Sequence, residues 1–405
     1  MTLAKKNRTL GAALLAVSAV GACHLLGDVD DLEVGPSASA PSSATSGGQG
    51  GAGATSSGQG GAGATSTGQG GGGGATTVGQ GGAGGETSGP AASSATGAGG
   101  GGGASDPKPN SCEGLVDGCG PDKVDCCTSD LIVGGAFHRN QDAGLPATVS
   151  SFRLDRFEVT VARFRKFIDE TSASKWKPAV GAGKHAHLDN GKGLAQELGW
   201  VGQWDTQVPS DAAAWNAVLS CPSETSSDYQ TWTPSPGVNE NKPVNCVSWF
   251  QAYAFCIWDG GFLPTENELN FASASVANNL YPWGTMAPTK DYAVFNCGDD
   301  ACSKTSSELL PVGSKPKGNG TFKTADLAGN VAEWPLDLWQ DGTSLPKTCV
   351  DCALVPIGST LEQGVQRGGS FGSNMAAYLG NANNRFGYAR TAVASAIGFR
   401  CARLP

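Results

Sequence analysis

The chain has 405 residues, a formal net charge of −9 and a pI of about 5.0. Nucleic acids and anionic lipid surfaces would repel such a chain, so neither is expected to bind it through charge. Composition also divides the chain, because nearly half of its 61 glycines fall in one segment of small residues and its aromatic residues follow that segment.

Residues 1–22 are predicted to be a lipoprotein signal peptide. A basic start precedes an apolar run from Leu10 to Val20, which is too short to cross a hydrocarbon core of ~30 Å. Val20-Gly-Ala-Cys23 resembles a bacterial lipobox. Cys23 is therefore the predicted lipidation site, and the protein is expected to be extracytoplasmic and anchored to a membrane by its lipid. An ordinary signal peptide with an unrelated cysteine is the alternative.

The residue after the cysteine bears on sorting. His24 stands there rather than aspartate, which favours the outer membrane or the cell surface, by resemblance to other lipoproteins. Residues 23–107 then form the anchor and a tether of Gly, Ala, Ser, Thr and Gln, with a decapeptide that begins at Gly48 and recurs at Gly58. The tether has almost no apolar side chain to bury, so it is predicted to be disordered.

The remainder is predicted to contain a Cys-rich lead-in at 108–130 and one folded domain at 131–405. Twelve of the 13 cysteines are left after Cys23, and an even number in an exported chain favours disulfides. Tight loops are expected at Cys297–Cys302 and Cys349–Cys352, and the lead-in is expected to be closed by Cys112, Cys119, Cys126 and Cys127. Zinc would need four ligands, and only four histidines are present, so zinc is disfavoured.

Local patterns predict short elements in an irregular domain. Residues 149–159 alternate as a strand does, and Thr160 is positioned to begin a helix. Ser248 is predicted to begin a second helix that ends at Gly260-Gly261, and Thr265-Glu-Asn-Glu268 is a capping-box pattern. The weak periodicity elsewhere favours an α+β domain.

A set of ordered motifs is more specific than any of these patterns. The set comprises Phe157-Glu-Val-Thr160, Leu263-Pro-Thr-Glu266, Tyr281-Pro-Trp-Gly284, Gly329-Asn-Val-Ala-Glu-Trp334, Arg367-Gly-Gly-Ser370 and Ile397-Gly-Phe-Arg-Cys401. Together they resemble the formylglycine-generating enzyme, or sulfatase-modifying factor, family. The resemblance implies an α+β, C-type-lectin-like fold with few short helices and strands and several disulfides. It also implies a disulfide between Cys256 and Cys401.

The same resemblance bears on catalysis. Family members oxidise a substrate cysteine with a copper ion held by two cysteines, and those positions fall here on Ser373 and Tyr378. Cu(I) prefers sulfur ligands, and neither a hydroxyl nor a phenol supplies one. No catalytic residue is therefore assigned and copper is not expected. Ser370 matches an active-site serine of the family but is interpreted as a turn residue.

Calcium is the one metal that the resemblance favours. The family binds it through a turn that maps onto Asp326, Gly329, Val331 and Glu333. Two carboxylates and two carbonyls are the hard oxygen ligands that Ca²⁺ prefers. A turn held by hydrogen bonds without metal is the alternative. A second calcium loop of the family would use Asn296, but its remaining acidic ligand has no match.

Other metal chemistry has weaker support. Related iron enzymes need three histidines, and His138, His185 and His187 show no such arrangement. His185 and His187 are interpreted as an exposed pair in a polar loop, with too few ligands for a metal. Asp299-Asp300 is interpreted as a solvated loop.

Two functions remain open. The first is a noncatalytic, membrane-tethered domain that binds a protein, peptide or glycan, for which Trp339, Trp176 and Tyr388 are candidate contacts if exposed. The second is an oxidoreductase of the formylglycine-generating type acting on a protein or peptide. The missing cysteine pair favours the first.

Overall fold

The computed structural model describes residues 108–405 except 116–117, 189–196, 223–227, 297–304, 343–344 and 383. The predicted signal peptide, the lipidation site Cys23, the tether and the Cys297–Cys302 loop lie outside the described residues. Within the described ranges, the longest apolar helices are too short to span a bilayer.

The helices begin where side chains can accept hydrogen bonds from their first free backbone amides. Thr160 accepts from the amide of Arg163, and Ser248 and Thr265 each form a complete capping box, as the sequence predicts. The four α-helices of the described residues are α1 (Val161–Thr171), α2 (Ala212–Leu219), α3 (Trp249–Trp258) and α4 (Glu266–Ala274).

The strands are short and form four small sheets. In chain order they are β1 (Gly118–Cys119), β2 (Val124–Asp125), β3 (Ser129–Ile132), β4 (Gly135–His138), β5 (Pro146–Val149), β6 (Phe152–Asp155), β7 (Ala332–Glu333), β8 (Cys349–Val350), β9 (Gln363–Arg367), β10 (Arg385–Ala389), β11 (Ile397–Gly398) and β12 (Ala402–Arg403). The strand orders are β10-β9-β7-β11, β12-β6-β3, β4-β5-β8 and β1-β2.

The single strand predicted over 149–159 is wrong. β5 and β6 belong to different sheets, and Ser150 and Ser151 between them belong to neither strand. The backbone amide and hydroxyl of Ser150 both donate to the carboxylate of Asp351. This side-chain partner replaces a strand partner and redirects the chain.

An aromatic core joins α1 to α3. Phe164 of α1 stacks on Phe255 of α3 at 5.5 Å, and Phe167 contacts the same ring edge-on at 5.6 Å. Five tryptophans are almost completely buried: Trp200, Trp204, Trp215, Trp249 and Trp334. Each buried ring removes a large apolar area from water. Most tryptophans therefore stabilise the fold and are not ligand contacts.

Disulfides connect parts of the chain that the short strands leave loosely attached. The described residues contain Cys112–Cys127, Cys119–Cys126, Cys221–Cys246, Cys256–Cys401 and Cys349–Cys352. The Cys256–Cys401 bond is the one that the family resemblance implies. Few helices, small sheets and several disulfides make this the irregular, disulfide-rich α+β arrangement that the sequence predicts.

Candidate functional site

The turn after β9 lies where the family's copper cysteines would stand. The amide of Ser370 donates to the hydroxyl of Ser373 at 3.0 Å, and the amide of Gly372 donates to the hydroxyl of Ser370 at 3.3 Å. A Cβ at Gly369, where φ is +66°, would lie 2.8 Å from the carbonyl oxygen of Tyr378 and 3.0 Å from the Ser373 hydroxyl. Ser370 and Ser373 therefore both hold this turn together.

No described thiol is available in this turn. The ring of Tyr378 packs edge-on against Phe386 at 5.4 Å. The ten cysteines of the described residues are all in disulfides, and the other three, Cys23, Cys297 and Cys302, lie outside them. The described part of the chain therefore offers hydroxyl groups where a Cu(I) ion would need thiolates.

A cavity of about 200 Å³ lies beside the first turn of α4. Drug-sized ligands occupy pockets of ~300 Å³ or more, so this volume suits a smaller molecule. Its walls combine charged, amide and apolar side chains, among them Arg139, Glu266, Asn270, Asp337, Leu354 and Arg367.

Glu266 is the charged centre of one wall. Its Oε1 accepts from Arg367 Nη1 at 2.6 Å and from Arg385 Nε at 2.5 Å, and its Oε2 accepts from Arg385 Nη2 at 3.0 Å. Burial opposes ionisation of Glu266, but the Arg367 and Arg385 guanidinium groups outweigh it and lower the pKa of Glu266. Glu266 is thus a carboxylate shared by two cations.

Asp337 is a second buried acid in the same cavity. Its two oxygens accept from the backbone amides of Glu266 at 2.7 Å and Leu354 at 2.8 Å. Burial, reinforced by the charge of Glu266, raises the pKa of Asp337 to about 7. Asp337 therefore changes protonation near neutral pH.

Two further groups face the cavity as hydrogen-bond donors. The Arg139 side chain donates to the backbone carbonyls of Leu145 and Pro346 and has no carboxylate within ion-pair distance among the described residues. Asn270 is 1% exposed; its Oδ1 accepts from the amide of Asn140 at 3.0 Å, while its Nδ2 has no partner among the described atoms. A buried amide group without a partner is uncommon in folded proteins.

His185 and His187 are not the exposed pair that the sequence suggests. His185 is buried: its Nδ1 lies 3.1 Å from Glu197 Oε1 and its Nε2 lies 3.4 Å from Glu268 Oε2. His187 Nε2 lies 3.0 Å from Glu268 Oε1. The exposed-loop prediction is wrong, because both rings contact the buried carboxylate of Glu268 in the first turn of α4.

This cluster is an ion-pair network. Burial opposes protonation of His185, but Glu268 and Glu197 outweigh it and raise the pKa of His185 to about 9. Burial also opposes ionisation of Glu268, but His185 leads the groups that lower its pKa to about 2. Glu268 and Glu197 thus favour the imidazolium form of His185.

The predicted calcium turn contains a crowded set of carboxylates. The carboxylate of Glu333, on β7, accepts from Arg400 Nε at 2.8 Å and Nη2 at 2.6 Å. Asp326 accepts from the amide of Gly313 at 2.6 Å, and Glu158 accepts from the amide of Val331 at 3.1 Å. Gly329 lies in the turn at a φ of +89°, which suits glycine.

The charges in this turn do not balance. Glu158, Asp326 and Glu333 are buried near one guanidinium, that of Arg400. Burial, then the neighbouring carboxylates, raises the pKa of Glu158 well above its usual range, and burial raises that of Asp326 to about 6. A donor set of hard oxygens with excess negative charge fits Ca²⁺, although Glu333 would have to share its carboxylate between the ion and Arg400.

A further cluster of acidic residues is already neutralised by arginine side chains. Asp155, Asp259 and Cys401 form the metal-type cluster found among the described residues. Cys401 is in a disulfide, and both aspartates pair with Arg163 and Arg403. The cluster is therefore structural.

The candidate aromatic contacts differ in exposure. Trp339 and Tyr388 are each 37% exposed, whereas Trp176 packs against the core. A Cβ at Gly387 would lie 2.6 Å from the Trp339 ring, so Trp339 covers β10 between Phe386 and Tyr388. Trp339 and Tyr388 are thus exposed enough to contact a ligand.

Sequence reasoning missed Arg139, Asn270 and Asp337. Asn267 and Asn270 lie three residues apart on α4, and two amides on one face of a helix were a usable signal. The sequence gives no such signal for Arg139, because this residue reaches the cavity through a contact with Pro346, 207 residues away. The lone residue of the second calcium loop, Asn296, donates its amide to the carbonyl of Ser373.

This fold, with Ser373 and Tyr378 in the turn after β9, defines a sulfatase-modifying-factor-like domain. Residues 120–405 match the family model of the sulfatase-modifying factor enzyme 1-like domain. The chain belongs to that family.

Three curated relatives illustrate the range of proteins that are similar to it. The chain is 28% identical over 293 residues to the formylglycine-generating enzyme of Mus musculus, covering 65% of this chain and 69% of that protein. It is 28% identical over 271 residues to the inactive C-alpha-formylglycine-generating enzyme 2 of Mus musculus, covering 63% and 76%. It is 31% identical over 240 residues to the hercynine oxygenase of Mycolicibacterium smegmatis, covering 54% of this chain and 48% of that protein.

Proposed function

We propose that this protein is a membrane-tethered, extracytoplasmic member of the family that binds a ligand or partner and does not generate formylglycine. The observation that carries the proposal is the pair Ser373 and Tyr378. The Ser373 hydroxyl accepts a backbone hydrogen bond within its own turn, and Tyr378 packs against Phe386. Neither side chain has the chemistry to hold Cu(I).

The relatives allow this interpretation. The family includes a protein named as a formylglycine-generating enzyme and one named as inactive. Family membership alone therefore leaves activity open, and the residues in the turn after β9 support the noncatalytic proposal. The oxidoreductase alternative would require copper to bind without the usual thiols.

Incubation with a peptide containing the sequence Cys-x-Pro-x-Arg is expected to give no formylglycine, with or without added copper. The reason is that Ser373 and Tyr378 cannot bind the ion that would activate oxygen. Mass spectrometry of the peptide is the measurement. Formylglycine in the product, or copper retained by the folded parent protein, would overturn the noncatalytic proposal.

The matched control is the double variant Ser373→Cys, Tyr378→Cys. It is expected to retain Cu(I) where the parent does not, because it restores the thiolates alone. It need not regain activity, since the surrounding turn has its own hydrogen bonds.

We also propose that Ca²⁺ binds at Asp326 and Glu333 with the carbonyls of Gly329 and Val331. The support is the donor chemistry and the excess of buried carboxylates over guanidinium groups. The ion would neutralise that excess and hold the turn that precedes β7.

Asp326→Asn is expected to abolish most of the stabilisation that calcium gives the parent while leaving the stability in chelator nearly unchanged. Asparagine keeps an oxygen for the Gly313 amide but removes the charge that binds calcium. An ion that binds only the folded state adds about 2.7 kcal/mol at a hundredfold excess over its Kd. Thermal melts of parent and variant in calcium and in chelator are the measurement.

Glu333→Gln is the comparison, because it also breaks the pair with Arg400. It is expected to lower the melting temperature in chelator as well as in calcium. If chelation leaves the parent unchanged, hydrogen bonds alone hold the turn and the calcium proposal fails.

We propose lipidation at Cys23 as the means of membrane tethering. Cys23→Ser is expected to move the protein from the membrane fraction to the soluble fraction, because the variant would lack the acyl chains that form the proposed anchor. Cell fractionation followed by immunoblotting is the measurement. Retention of the variant in the membrane fraction would contradict lipidation.

A further inference from the structure

The cavity beside α4 has the features of a preformed binding site. Its volume is about 200 Å³, and Arg139, Asn270 and Asp337 line it while being at most 4% exposed. Asn270 Nδ2 is buried and has no partner among the described residues, and an unpaired donor in the interior is unfavourable. A ligand that accepted a hydrogen bond from it would remove that penalty.

The charges around the cavity indicate the sign of the ligand. Arg139 and Arg367 line the wall, and Arg385 joins Arg367 on Glu266. The lining itself holds two guanidinium groups and two acids, and Arg385 has Asp341 near it as well as Glu266. Arg139 is the lining guanidinium with no carboxylate within ion-pair distance among the described residues, so it is the cation left for an anionic ligand.

The other walls limit the size and character of the ligand. Leu338, Ala353 and Leu354 supply apolar surface, which favours a ligand with an apolar body. Sites of this kind bind a small molecule by burying its apolar part and orienting it with a few polar groups.

We propose that this cavity binds a small monocarboxylate, whose carboxylate accepts hydrogen bonds from Arg139 and Asn270 Nδ2 and whose body lies against Leu338, Ala353 and Leu354. The proposal deepens the proposed binding function, because it names a ligand class and a site distinct from the turn at Ser373. The two can fail separately: formylglycine production would overturn the first without affecting the second.

The test is titration calorimetry of the full chain with benzoate and with hexanoate, each compared with its uncharged amide, benzamide or hexanamide. The two members of each pair have nearly the same shape, so a difference reports the charge. Saturable binding of at least one acid, at least tenfold tighter than its amide, is expected. Absence of saturable binding by both acids, or equal binding of acid and amide, would overturn the proposal.

Asn270→Asp is the first variant. It keeps an oxygen for the Asn140 amide but places an acceptor where Nδ2 stood, so carboxylate binding is expected to fall at least tenfold. Asn216→Asp is the matched control, since Asn216 also accepts a hydrogen bond, from Trp232 Nε1 at 2.8 Å, but lies outside the cavity lining. Unchanged affinity in Asn270→Asp would contradict the proposed contact.

Ala353→Val provides an independent variant if Asn270→Asp fails to fold. Ala353 is buried and lines the cavity, so the larger side chain is expected to reduce the space for the ligand and weaken binding several-fold while the domain stays folded. Binding as tight as in the parent would show that the ligand lies elsewhere.

The pH dependence of ligand binding is a further test, because a purely structural role of Asp337 would not change it. Asp337 is faced by Glu266, Arg139, Arg367, Arg385 and His185, and burial raises its pKa to about 7. A bound anion would raise it further, so binding should take up a proton and weaken as the pH rises from about 6 to 8. Affinity that strengthens over this range would count against an anionic ligand.

Discussion

Replacing both Cys256 and Cys401 by alanine is expected to lower the free energy of unfolding by about 5 kcal/mol in the chain-entropy treatment of a disulfide, since this bond closes a loop with a sequence separation of 145. Both sulfurs are buried in the core where α3 meets β12, so the reduced chain would also lose the enforced contact between these elements. Chemical denaturation under oxidising conditions is the measurement.

The matched control is the double alanine variant of Cys349 and Cys352, whose separation is 3. The same treatment gives only about 2 kcal/mol for so short a loop. If the two variants lost equal stability, loop length would not be the source of the effect and local packing would be.

Arg163→Met is expected to lower the free energy of unfolding by about 3 to 5 kcal/mol, the usual loss when one partner of a buried ion pair is removed. Arg163 donates to Asp155 at 2.9 Å and to Asp259 at 2.7 Å, and all three side chains are fully buried. The variant leaves two buried carboxylates with Arg403 as their remaining cation.

Arg156→Met serves as the control for loss of a guanidinium group. Arg156 forms a bidentate pair with Asp130, but both side chains are about one fifth exposed. Water screens such a pair, so its loss is expected to cost about 1 kcal/mol or less. A similar loss of stability in both variants, measured by denaturant titration, would contradict the role of burial.

The sequence predicted the features that depend on neighbouring residues or on several ordered motifs. Thr160, Ser248 and Thr265 begin helices because a cap involves residues only three positions apart. The family and its α+β fold followed from motifs that remain in order along the chain.

Features that depend on distant contacts were not predictable. His185 resembled a loop residue because nothing near it in the chain indicates that Glu268 lies against it. Asn270 resembled an ordinary polar residue of a helix, and only the assembled walls place its amide in a cavity. The break between β5 and β6 required Asp351, which follows Ser150 by 201 residues.

The network around Asp259 determines the order in which the domain can be completed. Asp259 follows α3 and accepts from the amide of Ser111 near one end of the folded part and from Arg403 near the other. During synthesis or export from the N-terminus, the buried acid and the thiol of Cys256 must wait for Arg403 and Cys401 to arrive. Folding of the core is therefore complete only after Cys401 and Arg403 have been added. A chain arrested before these residues would present an incomplete core to chaperones and proteases.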